Sequence, residues 1–127
     1  AQLARELKTP VQIGENIYGP RSFFDAAQAR AADLYMPDLM RIGGVTGWMR
    51  LARVAEARAV PFSSHLSPDY SAHVLAATPT RHWLEFMDWA EPVIQDPIRV
   101  SNGLAQIPDR PGAGLAWNEA AVKRYSV

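Results

Sequence analysis

Short apolar runs alternate with alanine-rich stretches along the first 90 residues of the chain. The apolar runs resemble β-strands, and they are 11–16, 33–40, 60–66 and 82–87. Stretches of helical propensity separate or follow them at 19–32, 45–59 and 67–80, with Thr46 and Ser67 as candidate N-caps of the last two. Strands that alternate with helices pair in parallel, because the crossover helix returns the chain to the same edge. The pattern therefore predicts an α/β fold built on a parallel sheet.

An ionisable residue stands at the end of each predicted strand: Glu15, Asp38, His65 and Glu85. Successive members of this series are 23, 27 and 20 residues apart, which matches one strand-helix unit each. The carboxyl ends of parallel strands meet at one edge, where α/β barrels carry their active sites. We therefore expect these four side chains to converge at a common mouth.

Residues 91–127 follow a different pattern. Asn102-Gly103 lies between two short runs and predicts a β-hairpin, a Pro/Gly-rich loop comes next, and Asn118 is the candidate cap of a short terminal helix. This part is not another strand-helix unit. We therefore divide the chain into a barrel part, 1–90, and a tail, 91–127, which we expect to pack against something outside the barrel.

Composition narrows the classes of function. The 127 residues include 13 basic and 13 acidic ones, and this zero net charge favours neither a nucleic-acid nor a membrane partner. No apolar stretch approaches the roughly 20 residues of a membrane span. The absence of cysteine excludes disulfides and thiolate chemistry, and we expect a cytoplasmic protein. The first ten residues read as the end of a helix already in progress, so we expect the chain to be a fragment.

Asp38 and His65 end neighbouring predicted strands, which lie about 4.8 Å apart in a sheet. A carboxylate that accepts from one imidazole nitrogen fixes the tautomer and leaves the other nitrogen as a general base. Glu85 follows an apolar pair, where desolvation favours a neutral carboxyl able to donate a hydrogen bond to an oxyanion. Glu15 and Asn16 supply oxygen ligands of the kind that suits Mg²⁺.

Each of these residues also has a purely structural interpretation. A single histidine at a strand end is more often structural or solvated than catalytic. Only the periodic series of four makes a catalytic role for His65 as well supported as a structural one. Glu15 alone cannot hold Mg²⁺, which takes about six oxygens, and by itself it is better interpreted as a salt-bridge partner. Arg41 can bind a substrate carboxylate, but a structural or electrostatic role near Asp38 and His65 is the favoured interpretation.

Five sequence stretches, in this order and spacing, carry a family resemblance: VQIGEN, MPDLMRIGGVTGW, SSHL, AATPTRHWLE and IPDRPGAGLAW. Together they resemble the C-terminal part of the mandelate racemase group of the enolase superfamily, over essentially the whole chain. The resemblance implies the C-terminal half of a (β/α)7β TIM-like barrel, strands five to eight, with a tail that returns to a capping domain. It also implies that the Lys-x-Lys element and two earlier metal ligands lie in a missing N-terminal part.

The resemblance implies a role for each site residue. Glu15 matches the last of three carboxylate ligands of Mg²⁺, and Asp38 and His65 match the dyad that moves a proton on one face of the substrate. Glu85 matches the acid that hydrogen-bonds the enediolate intermediate. Leu66 and Met87 follow catalytic positions and are expected to line the substrate pocket.

The function implied is Mg²⁺-dependent abstraction of the proton α to the carboxylate of a small carboxylic acid substrate. Racemisation of a hydrophobic 2-hydroxy acid is preferred, because apolar residues stand beside the chemistry. Dehydration of an acid sugar is the alternative, and a non-catalytic barrel fragment or scaffold is a second one. We expect the missing N-terminal part of the same chain as a partner, this segment to be inactive without it, and homo-oligomers.

Overall fold

The computed structural model describes residues 1–126. Its helices are α1 (Gln2–Glu6), α2 (Gly19–Gln28), α3 (Gly44–Arg58), α4 (Pro68–Ala76) and α5 (Glu119–Tyr125), with a 3₁₀ turn at Glu91–Val93. Its strands are β1 (Gln12–Ile13), β2 (Leu34–Tyr35), β3 (Arg99–Ser101) and β4 (Leu104–Gln106). The alternation of short strands and longer helices in the first part of the chain is as predicted.

Parallel pairing joins the first part of the chain into one layer. β1 pairs with β2 in parallel, and isolated parallel bridges join Tyr35 to Phe62, Asp38 to His65 and Phe62 to Arg81. Two segments continue the layer beyond β2, namely the His65 segment (60–66) and the Glu85 segment (81–87). The four elements therefore lie side by side in chain order, which brings their carboxyl ends to one edge.

The His65 and Glu85 segments differ from the prediction, because neither forms a regular strand. Backbone pairing reaches only as far as the bond from Ser64 N–H to the Trp83 carbonyl, 3.0 Å. Beyond that point a side chain replaces the ladder, since Ser64 Oγ accepts from the N–H of Glu85 at 3.0 Å. The two predicted strands are thus present as extended segments held partly by hydroxyl groups.

The core lies between these parallel elements and helices α2 and α3. Phe23, Tyr35, Trp48 and Phe62 are fully buried, and their rings meet edge to face with centroids 4.8 to 5.4 Å apart. Edge-to-face contacts of this kind add to the free energy gained from burial. This aromatic cluster fixes the helices against the sheet and so fixes the strand ends that carry the site.

The start of α3 differs from its predicted cap, whereas α4 starts at the predicted cap residue but without a capping hydrogen bond. Gly43 and Gly44 have positive φ angles of 94° and 66°, and they turn the chain into α3 before Thr46, which is therefore not the N-cap. Ser67 does occupy the N-cap position of α4, with Pro68 following it, but its side chain makes no capping hydrogen bond. Its left-handed backbone, with φ of 46°, replaces the extended geometry that a serine cap normally has.

The tail contains the predicted hairpin and terminal helix. β3 and β4 pair antiparallel around Asn102 and Gly103, whose positive φ angles are those that a type I′ turn requires. Asn118 Oδ1 accepts from the N–H of Ala121 at 3.1 Å and caps α5, as predicted. The predicted tail extends to Val127, which lies outside the described residues. The division at residue 90 stays a prediction.

An apolar groove of about 410 Å³ lies between the Glu85 segment, α4 and the β3–β4 hairpin. Trp83, Val100 and Leu104 line it and are 67%, 50% and 68% exposed. Within residues 1–126, no strand pairs with the outer edge of the Glu85 segment or with the free edge of β1. None of the helices described is both long and apolar enough to cross a membrane.

Candidate active site

Asp38 and His65 form a buried hydrogen-bonded pair at the carboxyl edge of the parallel layer. His65 Nδ1 and Asp38 Oδ2 are 3.0 Å apart, and the two residues are only 9% and 6% exposed. A parallel bridge between the same residues sets their backbones side by side. Because the carboxylate accepts at Nδ1, that nitrogen carries the proton and Nε2 is left as the proton acceptor. The predicted proximity of these two residues is confirmed.

The second oxygen of Asp38 is held by the backbone of the loop that follows. The N–H groups of Met40 and Arg41 donate to Oδ1 at 2.7 and 3.2 Å. Burial alone raises the pKa of Asp38, but the hydrogen bonds from His65, Met40 and Arg41 outweigh it and leave that pKa below its ordinary value. Asp38 therefore stays ionised at neutral pH and can fix the orientation of the imidazole.

Glu85 is held against the residues on either side of His65. Leu66 N–H donates to Glu85 Oε2 at 2.7 Å, and the N–H of Glu85 donates to Ser64 Oγ at 3.0 Å. Leu66 has a positive φ of 53°, a conformation that non-glycine residues seldom adopt and that tends to occur at functional sites. Three of the four predicted site residues are thus brought to the same edge.

Glu15 and Asn16 reach the site through Arg41. Arg41 Nη1 donates to the backbone carbonyl of Glu15 at 2.8 Å and to Asn16 Oδ1 at 3.3 Å. It also lies 3.4 Å from Glu15 Oε1, so the salt-bridge interpretation of Glu15 is realised in the structure. Because the backbone of Arg41 also holds Asp38, this residue connects the end of β1 to the Asp38–His65 pair.

The oxygen donors of Glu15 and Asn16 fit the chemistry of Mg²⁺, but their number does not complete a site. Within residues 1–126 there is no group of three or more acidic or histidine residues gathered to hold a metal. Mg²⁺ takes six oxygens in near-octahedral geometry. This chain can therefore supply one carboxylate ligand, and the rest of any such site comes from elsewhere.

Leu66 and Met87 line the same apolar cavity, of about 230 Å³, together with Trp89 and Trp117. His65 directly precedes the lining residue Leu66, and Glu85 stands two positions before Met87, but neither His65 nor Glu85 lines the cavity. The two predicted pocket residues are therefore brought together beside the site. Their contact with substrate stays a prediction.

Sequence reasoning missed residues that set the position of the site. Ser64 holds Glu85 through its hydroxyl, and the signal for it was a pair of serines inside an otherwise apolar run. Gly14 lets β1 approach β2 closely, since a Cβ there would lie 2.2 Å from the carbonyl carbon of Met36. A glycine directly before the ionisable residue at a strand end was the signal for that second constraint.

The chain resembles several known proteins. The enolase C-terminal domain-like family matches residues 1–121. An enolase from an alpha proteobacterium, BAL199, solved with bound magnesium, is 55% identical with a TM-score of 0.94, over 98% of this chain and 34% of that one. An enolase from Bradyrhizobium in complex with magnesium and mandelic acid is 47% identical with a TM-score of 0.92, over 98% and 34%.

A curated relative, the L-talarate/galactarate dehydratase of Salmonella typhimurium, is 30% identical over 95% of this chain and 30% of its own length. The chain thus spans about a third of the length of the proteins it matches. The match of nearly the whole chain to one family, together with the solved relatives, confirms the resemblance seen in the motifs. The chain belongs to the enolase C-terminal domain-like family, in the mandelate racemase group of the enolase superfamily.

Proposed function

We propose that this chain supplies strands five to eight of a (β/α)7β barrel whose other strands and capping domain lie in an N-terminal part of the same polypeptide. Three features support this: the share of each relative that the chain covers, the open edges of the parallel layer and the exposed apolar groove beside the Glu85 segment. An uncovered apolar edge is an aggregation hazard unless a partner covers it. Residues 91–126 would then run back toward the capping domain.

We propose that the complete protein removes the proton α to a substrate carboxylate, with His65 as the base. The Asp38–His65 pair carries this proposal: its 3.0 Å contact and burial hold the imidazole in the tautomer that accepts at Nε2. The electron pair of the broken C–H bond moves into the substrate carboxylate and forms an enediolate. His65 then holds the proton until it is returned or passed to a leaving group.

Glu85 is the proposed acid that hydrogen-bonds the enediolate. Leu66 N–H occupies Oε2, so Oε1 remains for the substrate oxygen. A donor placed where negative charge develops stabilises the transition state more than the ground state. Its fixation by residues that flank His65 supports a role in the same step.

Glu15 is the proposed protein ligand that this chain offers to Mg²⁺, and Arg41 keeps its backbone in place. A bound divalent cation would act as a Lewis acid toward the substrate carboxylate. The relatives solved with magnesium support this assignment. Leu66 and Met87 are proposed to shape the apolar side of the pocket.

Racemisation of a hydrophobic 2-hydroxy acid is the proposed reaction. His65 would serve one face of the α-carbon, and a base from the N-terminal part would serve the other. The 47% identical relative in complex with mandelic acid supports an aromatic 2-hydroxy acid as substrate. The apolar cavity beside the site supports the same class.

Dehydration of an acid sugar is the second candidate, supported by the 30% identical talarate/galactarate dehydratase. This dehydration would pass through the same enediolate intermediate as the racemisation. The imidazolium form of His65 would then give its proton to the departing β-hydroxyl, which leaves as water, and the enol product would tautomerise to a 2-keto-3-deoxy acid. The groups that surround the bound substrate would decide between these outcomes, since both start with the same proton transfer.

Deuterium exchange tests these alternatives. The full-length protein that carries this segment is incubated with Mg²⁺ in D₂O and either mandelate or galactarate. We expect deuterium at the α-carbon of mandelate with inverted configuration, whereas a 2-keto-3-deoxy product from galactarate would support the dehydratase. If neither acid exchanges its α-proton, with Mg²⁺ binding verified by calorimetry, the result favours another substrate or the non-catalytic scaffold over the proposed reaction.

A further inference from the structure

The hydroxyl group of Ser64 is buried within the parallel layer and has no role in the proton transfer described above. Ser64 is 1% exposed, and its Oγ accepts from the backbone N–H of Glu85 at 3.0 Å. The carboxylate end of Glu85 is held separately, by the N–H of Leu66 at 2.7 Å. Both ends of Glu85 are therefore tied to the two residues that flank His65.

The serine contact is important because little else fixes the backbone at this point. Regular pairing between the two segments ends at the bond from Ser64 N–H to the Trp83 carbonyl. The neighbours of Glu85 give limited support, since Trp83 is 67% and Phe86 37% exposed. The hydroxyl of Ser64 thus replaces the missing ladder bond at Glu85, the residue proposed as the acid.

We propose that Ser64 is a positioning residue that sets the Glu85 carboxyl relative to His65. The inference rests on the proposed function of Glu85 as the acid that hydrogen-bonds the enediolate. Through the chain from Ser64 to Leu66, the same short segment carries the base and holds the acid at two atoms. If the segment that carries His65 shifts, Glu85 would shift with it, and the distance between the imidazole and the Glu85 carboxyl would stay nearly the same.

Ser63 provides a matched control. It is also 1% exposed, and its Oγ accepts from the N–H of Trp83 at 3.3 Å and lies 3.4 Å from His82 Nδ1. Ser63→Ala and Ser64→Ala each remove one buried hydroxyl from adjacent positions of the same segment. Only the second change releases the backbone of Glu85.

The first measurement concerns the contact itself and does not depend on catalysis. Amide hydrogen exchange is followed by NMR in the full-length protein, with ¹⁵N-labelled glutamate and tryptophan. Ser64→Ala is expected to speed exchange at the N–H of Glu85 about tenfold and leave Trp83 unchanged, because loss of a hydrogen bond promotes local opening. Ser63→Ala is expected to do the reverse. Unchanged protection of Glu85 in Ser64→Ala would overturn the contact.

The second measurement concerns the reaction. Ser64→Ala is expected to lower kcat for α-proton exchange about tenfold with little change in KM, because the Glu85 interaction is made mainly in the transition state. Ser63→Ala is expected to keep kcat within about twofold. Ser64→Thr, which keeps the hydroxyl, is expected to recover most of the rate. In a Glu85→Gln background, Ser64→Ala should add little further loss, since both changes act through one group.

Ser64→Cys replaces Ser64→Ala if the alanine variant does not fold, because the thiol fills the space with a weak acceptor. Equal losses of kcat in the Ser63 and Ser64 variants, or additive losses with Glu85→Gln, would overturn the positioning role. A wild-type protein that exchanges no α-proton overturns the proposed function and this role with it. In that case the amide exchange of Glu85 still shows whether its N–H is bonded to Ser64. A failure of the proposed function can therefore be told apart from a failure of this contact.

Discussion

Arg41 Nη1 donates to the backbone carbonyl oxygen of Glu15 at 2.8 Å. This hydrogen bond joins the loop after β2 to the loop after β1. The same nitrogen lies 3.4 Å from the Glu15 carboxylate. The backbone N–H of Arg41 donates to the Asp38 carboxylate. Arg41 therefore positions both Glu15, the proposed metal ligand, and the Asp38–His65 pair. All of these side-chain contacts go through the one nitrogen Nη1, which lies at the end of the long arginine side chain and carries two N–H donors.

Arg41→Lys should weaken Mg²⁺ binding to the full-length protein by about tenfold, as expected when a partner that orients a ligand is lost. Lysine keeps the positive charge, so the change isolates geometry from electrostatics. Isothermal titration calorimetry with Mg²⁺ measures the effect. Arg99→Lys, an exposed change in the tail, serves as control. An unchanged Kd in the Arg41 variant would show that Glu15 is positioned without it.

The pKa of Asp38 lies below its ordinary value, and this predicts how stability depends on pH. Because the unfolded chain binds this proton more readily, the stabilisation is complete above the ordinary pKa of 3.8 and is lost as pH falls through the lower folded value. In Asp38→Asn this part of the acid dependence should be absent. Urea unfolding from pH 6 to about 3 measures it, with the exposed Asp88→Asn as control; equal slopes in all three proteins would contradict the assignment.

The order of elements and the meeting of Asp38 with His65 could be predicted because they depend on local periodicity. Strand-helix alternation fixes parallel pairing, and parallel pairing places successive strand ends side by side. The tail hairpin was equally predictable, since Asn102-Gly103 favours one type of turn. In these cases the short-range preference and the tertiary structure agree.

Other features depend on contacts that a sequence pattern does not reveal. The sequence predicted Thr46 as the N-cap of α3, but the left-handed turn at Gly43 and Gly44 starts this helix earlier. Ser64 has the appearance of an ordinary strand residue, and only the structure shows its hydroxyl in place of a ladder bond. The metal site could be predicted only in part, because Mg²⁺ requires more carboxylates than this chain brings together.

Trp48 and Thr78 share the clearest buried polar contact in the core, with indole Nε1 donating to Thr78 Oγ1 at 2.9 Å. Thr78→Val keeps the shape of the side chain but leaves the buried indole N–H without an acceptor. Such a loss costs about 1–3 kcal/mol of the free energy of unfolding. Thr78→Ser, which retains the oxygen, should cost less. Thermal unfolding of both variants measures the difference, and equal stability of the valine and serine forms would show that the hydrogen bond contributes little.

His65→Asn tests the face on which the proposed base acts. Asparagine keeps a polar group near Asp38 but cannot take up a proton at neutral pH, so α-proton exchange from one enantiomer of mandelate should fall by at least about 100-fold. Exchange from the other enantiomer depends on a base from outside this chain and should persist. Each enantiomer is incubated separately in D₂O with Mg²⁺, and deuterium is followed by ¹H NMR. His73→Asn, on α4, is the control, because His73 Nε2 lies 3.1 Å from the Ala113 carbonyl and serves the tail. Equal loss of exchange from both enantiomers would show that His65 does not act on a single face, since a one-sided base leaves the opposite proton transfer intact.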